Sequence, residues 1–241
     1  MLMFKLISRN GRSCNGGSYL WDLPKAGEPG SWSPRVSNPC LCYRGYHLST
    51  LSGALFWEGE ALFVAEGRGQ RDGYGSMIAY ESARLVRRVG AWIPETLRVF
   101  AADCAERALD AALLSDERLR SAVETARRHA EGVASREALR AAAREAADAM
   151  ADVELAARGT TGIIEAAMAV EFAVSGDMCV GTAAAAAEVA RSAIWLSNCR
   201  RHIAEWSPID PTWLSLTKEH ELRWQLGRLA QLLGFEPSDV R

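Results

Sequence analysis

Cys40-Leu-Cys-Tyr-Arg-Gly-Tyr-His47 holds the residues of this chain best suited to chemistry. Two cysteines one residue apart and a nearby histidine could give a zinc ion three ligands, since zinc binds cysteine sulfur and histidine nitrogen tetrahedrally. A fourth would have to come from Cys14 or elsewhere. No second paired-ligand motif follows, so no metal is expected. A cysteine and a histidine could also serve as nucleophile and base, but no third group to orient the base is identifiable. The simpler reading packs Tyr46 and His47 at a strand end beside a glycine turn. A further chemistry joins His47 and Tyr46 to Glu66, a His/Tyr/Glu set of the kind used by ADP-ribosyltransferases. No NAD-binding loop accompanies it, and no cofactor is expected.

Gly67-Arg-Gly-Gln-Arg-Asp-Gly-Tyr-Gly75 follows a strand-like run, as a phosphate-binding loop would. Asp72 stands where the dinucleotide fingerprint needs its third glycine, and no helix follows at once. A Lys-Ser/Thr ending is also missing. The stretch reads as a flexible hairpin loop in which Arg68 and Arg71 could meet an anionic partner. Farther on, Asp103, Glu106, Arg107, Asp116, Arg118, Arg120, Glu124 and Arg127 crowd two adjacent helical segments. Arg120, Glu124 and Arg127 fall at i, i+4 and i+7, which permits an ion-pair ladder. A solvated or inter-helix polar network is the default for such a set. Its alternative is a partner-binding face of Arg68, Arg71, Asp103, Arg107, Arg118, Arg120, Glu124 and Arg127. Cys199 with His202, and His220, lack the partners a metal helix would need.

The elements that must position these residues divide the chain in two. Before Gly90 the sequence is rich in glycine, serine, proline and short apolar alternations. Met1–Ser8 reads as a strand, Asn10–Gly17 as a turn and Ser18–Leu23 as its hairpin partner. Pro24–Pro39 holds four of the eight prolines and is a long loop, either functional or mobile. Ser49 is placed to cap a short helix. Ala61–Glu66, Met77–Tyr80 and Arg84–Val89 are strand candidates. From Trp92 the chain turns alanine-rich and helical. Leu97, Phe100, Cys104 and Ala108 make an apolar stripe, and Pro94 suits a first helical turn. Six helices are expected: Pro94–Leu113, Asp116–Glu131 capped by Ser115, one from Ser135 to near Arg158, Ile163–Val174, Cys179–Arg201 and Trp213–Leu233. Short connections point to an antiparallel bundle or orthogonal array. The expectation is an α+β chain: a small β-rich domain over 1–91, then a helical domain over 92–241.

Composition bounds the function. The 241 residues are 49% hydrophobic and 24% charged, ordinary for a globular protein. A net charge of −2 gives no ground for a generic nucleic-acid binder. Residues 1–92 carry eleven Lys or Arg against seven Asp or Glu, a balance of +4, and the remainder seventeen against twenty-three, −6. A basic domain beside an acidic one could face different partners. The six cysteines follow no disulfide-scaffold pattern, and Cys104 on an apolar helix face suits a reduced thiol. The opening apolar run is too short for a signal peptide, and none reaches the roughly 18 residues of a membrane span. A reducing cytoplasm is the expected compartment.

The run Phe100-Ala-Ala-Asp-Cys-Ala-Glu-Arg-Ala-Leu109, followed by Asp116-Glu-Arg-Leu-Arg-Ser-Ala-Val-Glu-Thr-Ala-Arg127, resembles the helical domain of immunity proteins from bacterial polymorphic-toxin systems, found also in phage genomes. The closing Glu221–Gly234 resembles the way those domains end. Cys40–Val89, with its Gly-Tyr-His turn, is similar to a small uncharacterised domain of phage-encoded proteins. The resemblance carries no catalytic residues. It implies binding of a host or toxin protein in a bacterial cytoplasm, as an immunity-like or anti-defence inhibitor. An enzyme built on His47, Tyr46 and Glu66 is the alternative, and a structural or virion-associated adaptor the third. The sequence leaves a homo-oligomer open.

Overall fold

The computed structural model describes residues 2–14, 17–57, 59–157, 162–204 and 211–240. Two compact units divide between Trp92 and Ile93, and Ala230–Arg241 belongs with the first. The architecture is α+β, with four antiparallel strands and then helices.

In the first unit, β1 (Met3–Ile7), β2 (Tyr46–Ser49), β3 (Ala61–Tyr74) and β4 (Met77–Arg88) close a barrel in the order β1-β2-β4-β3. β1 runs antiparallel to β3 from Met3 opposite Ala65 to Ile7 opposite Ala61. β2 lies along β4 from Tyr46 opposite Tyr80 to Ser49 opposite Met77. Closure rests on the single pair Phe4–Ser49. The period-2 alternation of β1 sends Met3 and Ile7 into a core with Trp21, Leu48, Phe63 and Leu85. It sends Phe4 to the other face, where Phe235 meets it edge-on at 5.4 Å. Leu2 N–H donates to Asp239 C=O at 2.8 Å, tying down the same closing segment. A sequence boundary at 91/92 leaves that segment with the helices; Phe235 takes it to the barrel.

Three local readings are corrected. Gly67–Tyr74 is strand, not loop: it continues β3 and pairs with β4 in one long hairpin that also merges the two shorter strand candidates. Gly67 is there because the Tyr80 ring lies on it; a Cβ would stand 2.3 Å from Tyr80 Cγ. The register shifts between Arg68 and Arg71, and the intervening Gly69 has φ +81°, so these glycines serve a bulge. Second, Thr50 rather than Ser49 caps α1 (Leu51–Ala54), its Oγ1 accepting from Gly53 N–H. Third, Ser18–Leu23 is not a strand. Tyr19 and Trp21 are held instead by single bonds, Ser13 N–H to Tyr19 C=O at 2.8 Å and Trp21 N–H to Gly11 C=O at 2.9 Å. The long proline loop is neither slack nor free of the sheet. Gly30, Ser33 and Val36 N–H donate to the carbonyls of Leu85, Ala83 and Glu81 at 2.8, 2.9 and 3.0 Å.

In the second unit α2 (Pro94–Ala112) is the central helix, packed by α3 (Glu117–Ala130), α5 (Ile163–Ala173) and α6 (Val180–Ala204). Burial runs round most of its circumference, including Arg98 and Asp103, so the apolar stripe understates it. Alanines at the contacts (Ala101, Ala105 and Ala108 on α2, Ala183 and Ala186 on α6) are fully buried and let helix axes approach closely. α4 (Arg136–Ala157) packs on α3 and α5. α7 (Pro211–Leu232) ends at Leu233-Gly234, where Gly234 has φ +76°. Asp116, not Ser115, caps α3 by accepting from Arg118 N–H. Among the described residues no helix is long and apolar enough to cross a membrane.

Candidate functional site

The barrel unit holds a pocket of about 570 Å³ whose wall includes Lys5, Cys14, Tyr19, Trp21, Tyr46 and His47. Each comes from an element the fold pins in place. Lys5 shares the inward face of β1 with Met3 and Ile7 and sits opposite Phe63 of β3. Tyr46 is the first residue of β2. Trp21 Nε1–H donates to Ser13 Oγ at 2.9 Å, which fixes the indole. Tyr19, Trp21 and Tyr46 then meet pairwise edge-to-face, with centroids 5.1 to 5.6 Å apart. They form one aromatic wall.

Lys5 Nζ stands 5.7 Å from the Trp21 ring centre. No salt bridge joins it to a carboxylate among the described residues, and the Cys14 thiol is the titratable group that acts on it. Burial lowers its pKa from 10.5 to about 8, and Cys14 acts the other way. His47 is held below its usual value, first by burial and then by the positive charge of Lys5, with a hydrogen bond to the Gly45 backbone opposing. Its Nε2 accepts from Cys42 N–H at 2.9 Å, so that nitrogen is already engaged. Cys42 pays for this with φ +70°. Burial raises the Tyr19 hydroxyl, helped by Tyr46 and Asp22.

Around the pocket the barrel unit exposes large aromatics. Tyr43 and Tyr74 are 89% and 85% exposed, and Phe56 is 75% exposed. The hairpin tip ties them to one end. Leu41 N–H donates to Asp72 Oδ2 at 2.7 Å, joining the turn of Tyr43 to the arm of Tyr74. Thr50 N–H donates to Ser76 C=O at 2.9 Å, bringing α1 and the Phe56 that follows to the same tip. Arg68 of the arm lies over Trp32 at 4.1 Å, and Arg84 over the same ring at 4.8 Å. Arg71 is exposed.

The residues singled out from sequence fall into three places. Tyr46 and His47 line the pocket; Glu66 does not, and is ion-paired with Arg84 at 2.7 Å. Arg68 and Arg71 lie on the hairpin arm. Most of the helical set is engaged inside its own unit. Asp103, largely buried, receives Arg127 at 2.8 Å and Arg228 at 2.7 Å. Arg127 also reaches Glu106 at 2.7 Å. Against the cost of burial, these carboxylates raise the Arg127 pKa, and the Arg127 hydrogen bond lowers that of Glu106. Arg107 pairs with the buried Glu221 at 2.7 Å and covers Trp224. Arg120 pairs with Asp110 at 3.0 Å, and Arg118 with Asp116 and Asp152 at 2.8 and 2.9 Å. Glu124 is exposed. The two arginines of the i, i+4 and i+7 set thus join α3 to α2 instead of forming a ladder along one helix.

Sequence reasoning missed Lys5, Tyr19 and Trp21. Lys5 could have been found from parity, since it is the one charged residue on the Met3–Ile7 face of a strand. Tyr19 and Trp21 offered no such signal, because their segment is placed by isolated backbone bonds. Among the described residues no three His, Cys, Asp or Glu side chains converge as a metal's ligands would. No family model, curated protein or solved structure matches the chain.

Proposed function

We propose that the chain works by binding another protein, and that the exposed end of the barrel unit does the binding. The observation that supports this is the trio Tyr43, Tyr74 and Phe56, each at least three-quarters exposed around one hairpin tip. Aromatic side chains left in water together, beside arginines, are what the buried centre of a protein interface is made of. The partner that suits them is acidic, because Arg68 and Arg71 lie on the adjoining arm and residues 1–92 carry an excess of four positive charges. An immunity-like or anti-defence role against a protein effector is the form suggested by the sequence resemblance. The helical charges serve this reading less well than the barrel end, since Asp103, Arg107 and Arg127 are already paired.

Capture from bacterial lysate by the full-length protein, identified by mass spectrometry, tests it. Arg68→Glu with Arg71→Glu, and separately Tyr43→Ala with Tyr74→Ala, should each cut capture of the same acidic protein by about tenfold or more while leaving the helical signal unchanged. Capture that survives both, or that depends on His47→Ala alone, rejects the reading and moves attention to the chemistry of the pocket.

A further inference from the structure

We propose that the barrel pocket is a binding site for a small carboxylic acid with an aromatic or apolar body, its carboxylate received by the Lys5 ammonium. This does not depend on the protein-binding reading, because it concerns the interior of the pocket and not its rim. Three observations carry it. First, the cavity of about 570 Å³ lies in the size range of small-molecule sites. Second, one wall is the rigid edge-to-face set of Tyr19, Trp21 and Tyr46, a surface suited to a flat apolar body. Third, a cation stands in it without a carboxylate partner among the described residues. Withdrawing a charge from water without a counter-charge is costly, so a half-buried ammonium beside an aromatic ring is a group that an entering anion would stabilise. The other titratable groups facing the pocket, among the described residues, are Cys14 and Tyr19 from the 11–21 segment, Cys42 and Tyr43 from the turn, and Tyr46 and His47 from β2. β3 faces Lys5 with Phe63, and β4 lines the pocket with Met77, neither of which titrates. His47 is the poorer partner for an anion, because its Nε2 already accepts from Cys42 N–H and both burial and the charge of Lys5 disfavour its protonated form. The ammonium of Lys5 is therefore the group that reads the ligand's charge.

Lysine loses its proton in the free protein near pH 8, so the site should empty as pH rises through that value. The probe is indole-3-acetate, with neutral indole-3-acetamide as its control, titrated into the full-length protein by calorimetry. At about pH 7 the acid should bind about tenfold more tightly than the amide. Above about pH 8 its affinity should fall by up to about tenfold per pH unit, with proton uptake on binding seen as a dependence of the heat on buffer ionisation. Lys5→Met should abolish the preference for the acid, and Lys5→Arg should keep it. A tripeptide ending in tryptophan, compared with its C-terminal amide, distinguishes a chain end from a free acid. Tighter binding of the peptide acid than of indole-3-acetate assigns the site to a terminus, and the reverse to a free acid. The proposal fails if wild-type protein binds acid and amide equally or neither, or if the preference survives Lys5→Met. Should Lys5→Met not fold, a flat wild-type pH profile for the acid overturns it equally.

Discussion

In the helical unit, Asp103 is approached by two guanidinium groups, and Glu221 is almost wholly buried with Arg107 donating to both its oxygens. Arg98, buried in the same unit, donates to the carbonyls of Ala173 and Ser175 at 2.9 and 2.8 Å, where α5 ends. In the barrel unit Lys5 has a ring, a thiol and a cavity beside it. Charge drawn away from water is thus satisfied in the helical unit, while the half-buried Lys5 of the barrel unit has no carboxylate beside it among the described residues. Satisfied charges fix helix to helix and are unavailable to anything else. A charge left open lowers stability, and the fold keeps it at the wall of a pocket that a ligand can enter.

The sharpest way to break this contrast is to remove the hub of the satisfied side. Asp103→Ala leaves Arg127 and Arg228 without their shared carboxylate and should cost about 3 kcal/mol, read by urea denaturation on the helical circular-dichroism signal. A loss under about 1 kcal/mol would mean the network behaves as solvated surface. The open side predicts the opposite sign. Unfolded, Lys5 keeps its proton to about 10.5, while folded it releases it near 8. Between those values the unfolded state binds more protons, so stability rises with pH, and below pH 8 the full penalty stands. Lys5→Met should therefore stabilise the protein at neutral pH, by roughly 1–2 kcal/mol after allowance for water reaching the amine through the pocket. That advantage should shrink as pH climbs from 8 towards 10.5, and a pH-independent gain would show that burial of the charge is not its source. The smallest effect is expected at the pocket rim. Cys42→Gly relieves the φ of +70° and should gain up to about 1 kcal/mol in urea, with the His47 hydrogen bond preserved because it comes from the backbone. A loss there would assign the Cys42 side chain a packing role.

Helix ends were legible because they are written locally. Pro94 opens α2, Ser135 Oγ accepts from Ala138 N–H to open α4, and Gly132 and Gly234 adopt positive φ where α3 and α7 stop. The long hairpin was not legible, since the reason for Gly67 is a ring thirteen residues away on another strand. Nothing within Gly67–Gly75 distinguishes glycines placed for a bulge and a ring from glycines placed for a loop. For the candidate site, Tyr46 and His47 were visible as an unusual run, whereas the aromatic wall is assembled from segments joined only in three dimensions. Glu66 looked apt for chemistry by type, yet strand parity delivers it to Arg84.

The proline-rich segment that lies against β4 has a consequence for solubility. β2 covers β4 only from Met77 to Tyr80, and beyond that point the Glu81, Ala83 and Leu85 carbonyls on that edge are occupied by Val36, Ser33 and Gly30. Ser33 also accepts from the Ser82 hydroxyl at its carbonyl and from Ala83 N–H at its Oγ, so the segment engages a donor of that edge as well as its carbonyls. A row of unpaired backbone groups on a strand this long would be a template for another chain to add to. The segment denies it that template with residues that cannot themselves extend the sheet, since prolines at 24, 29, 34 and 39 interrupt any run of donors. A proteolytic cut within 24–39 would therefore do more than open a loop: it would uncover a sticky edge and convert a self-contained barrel into a seed for strand-on-strand aggregation.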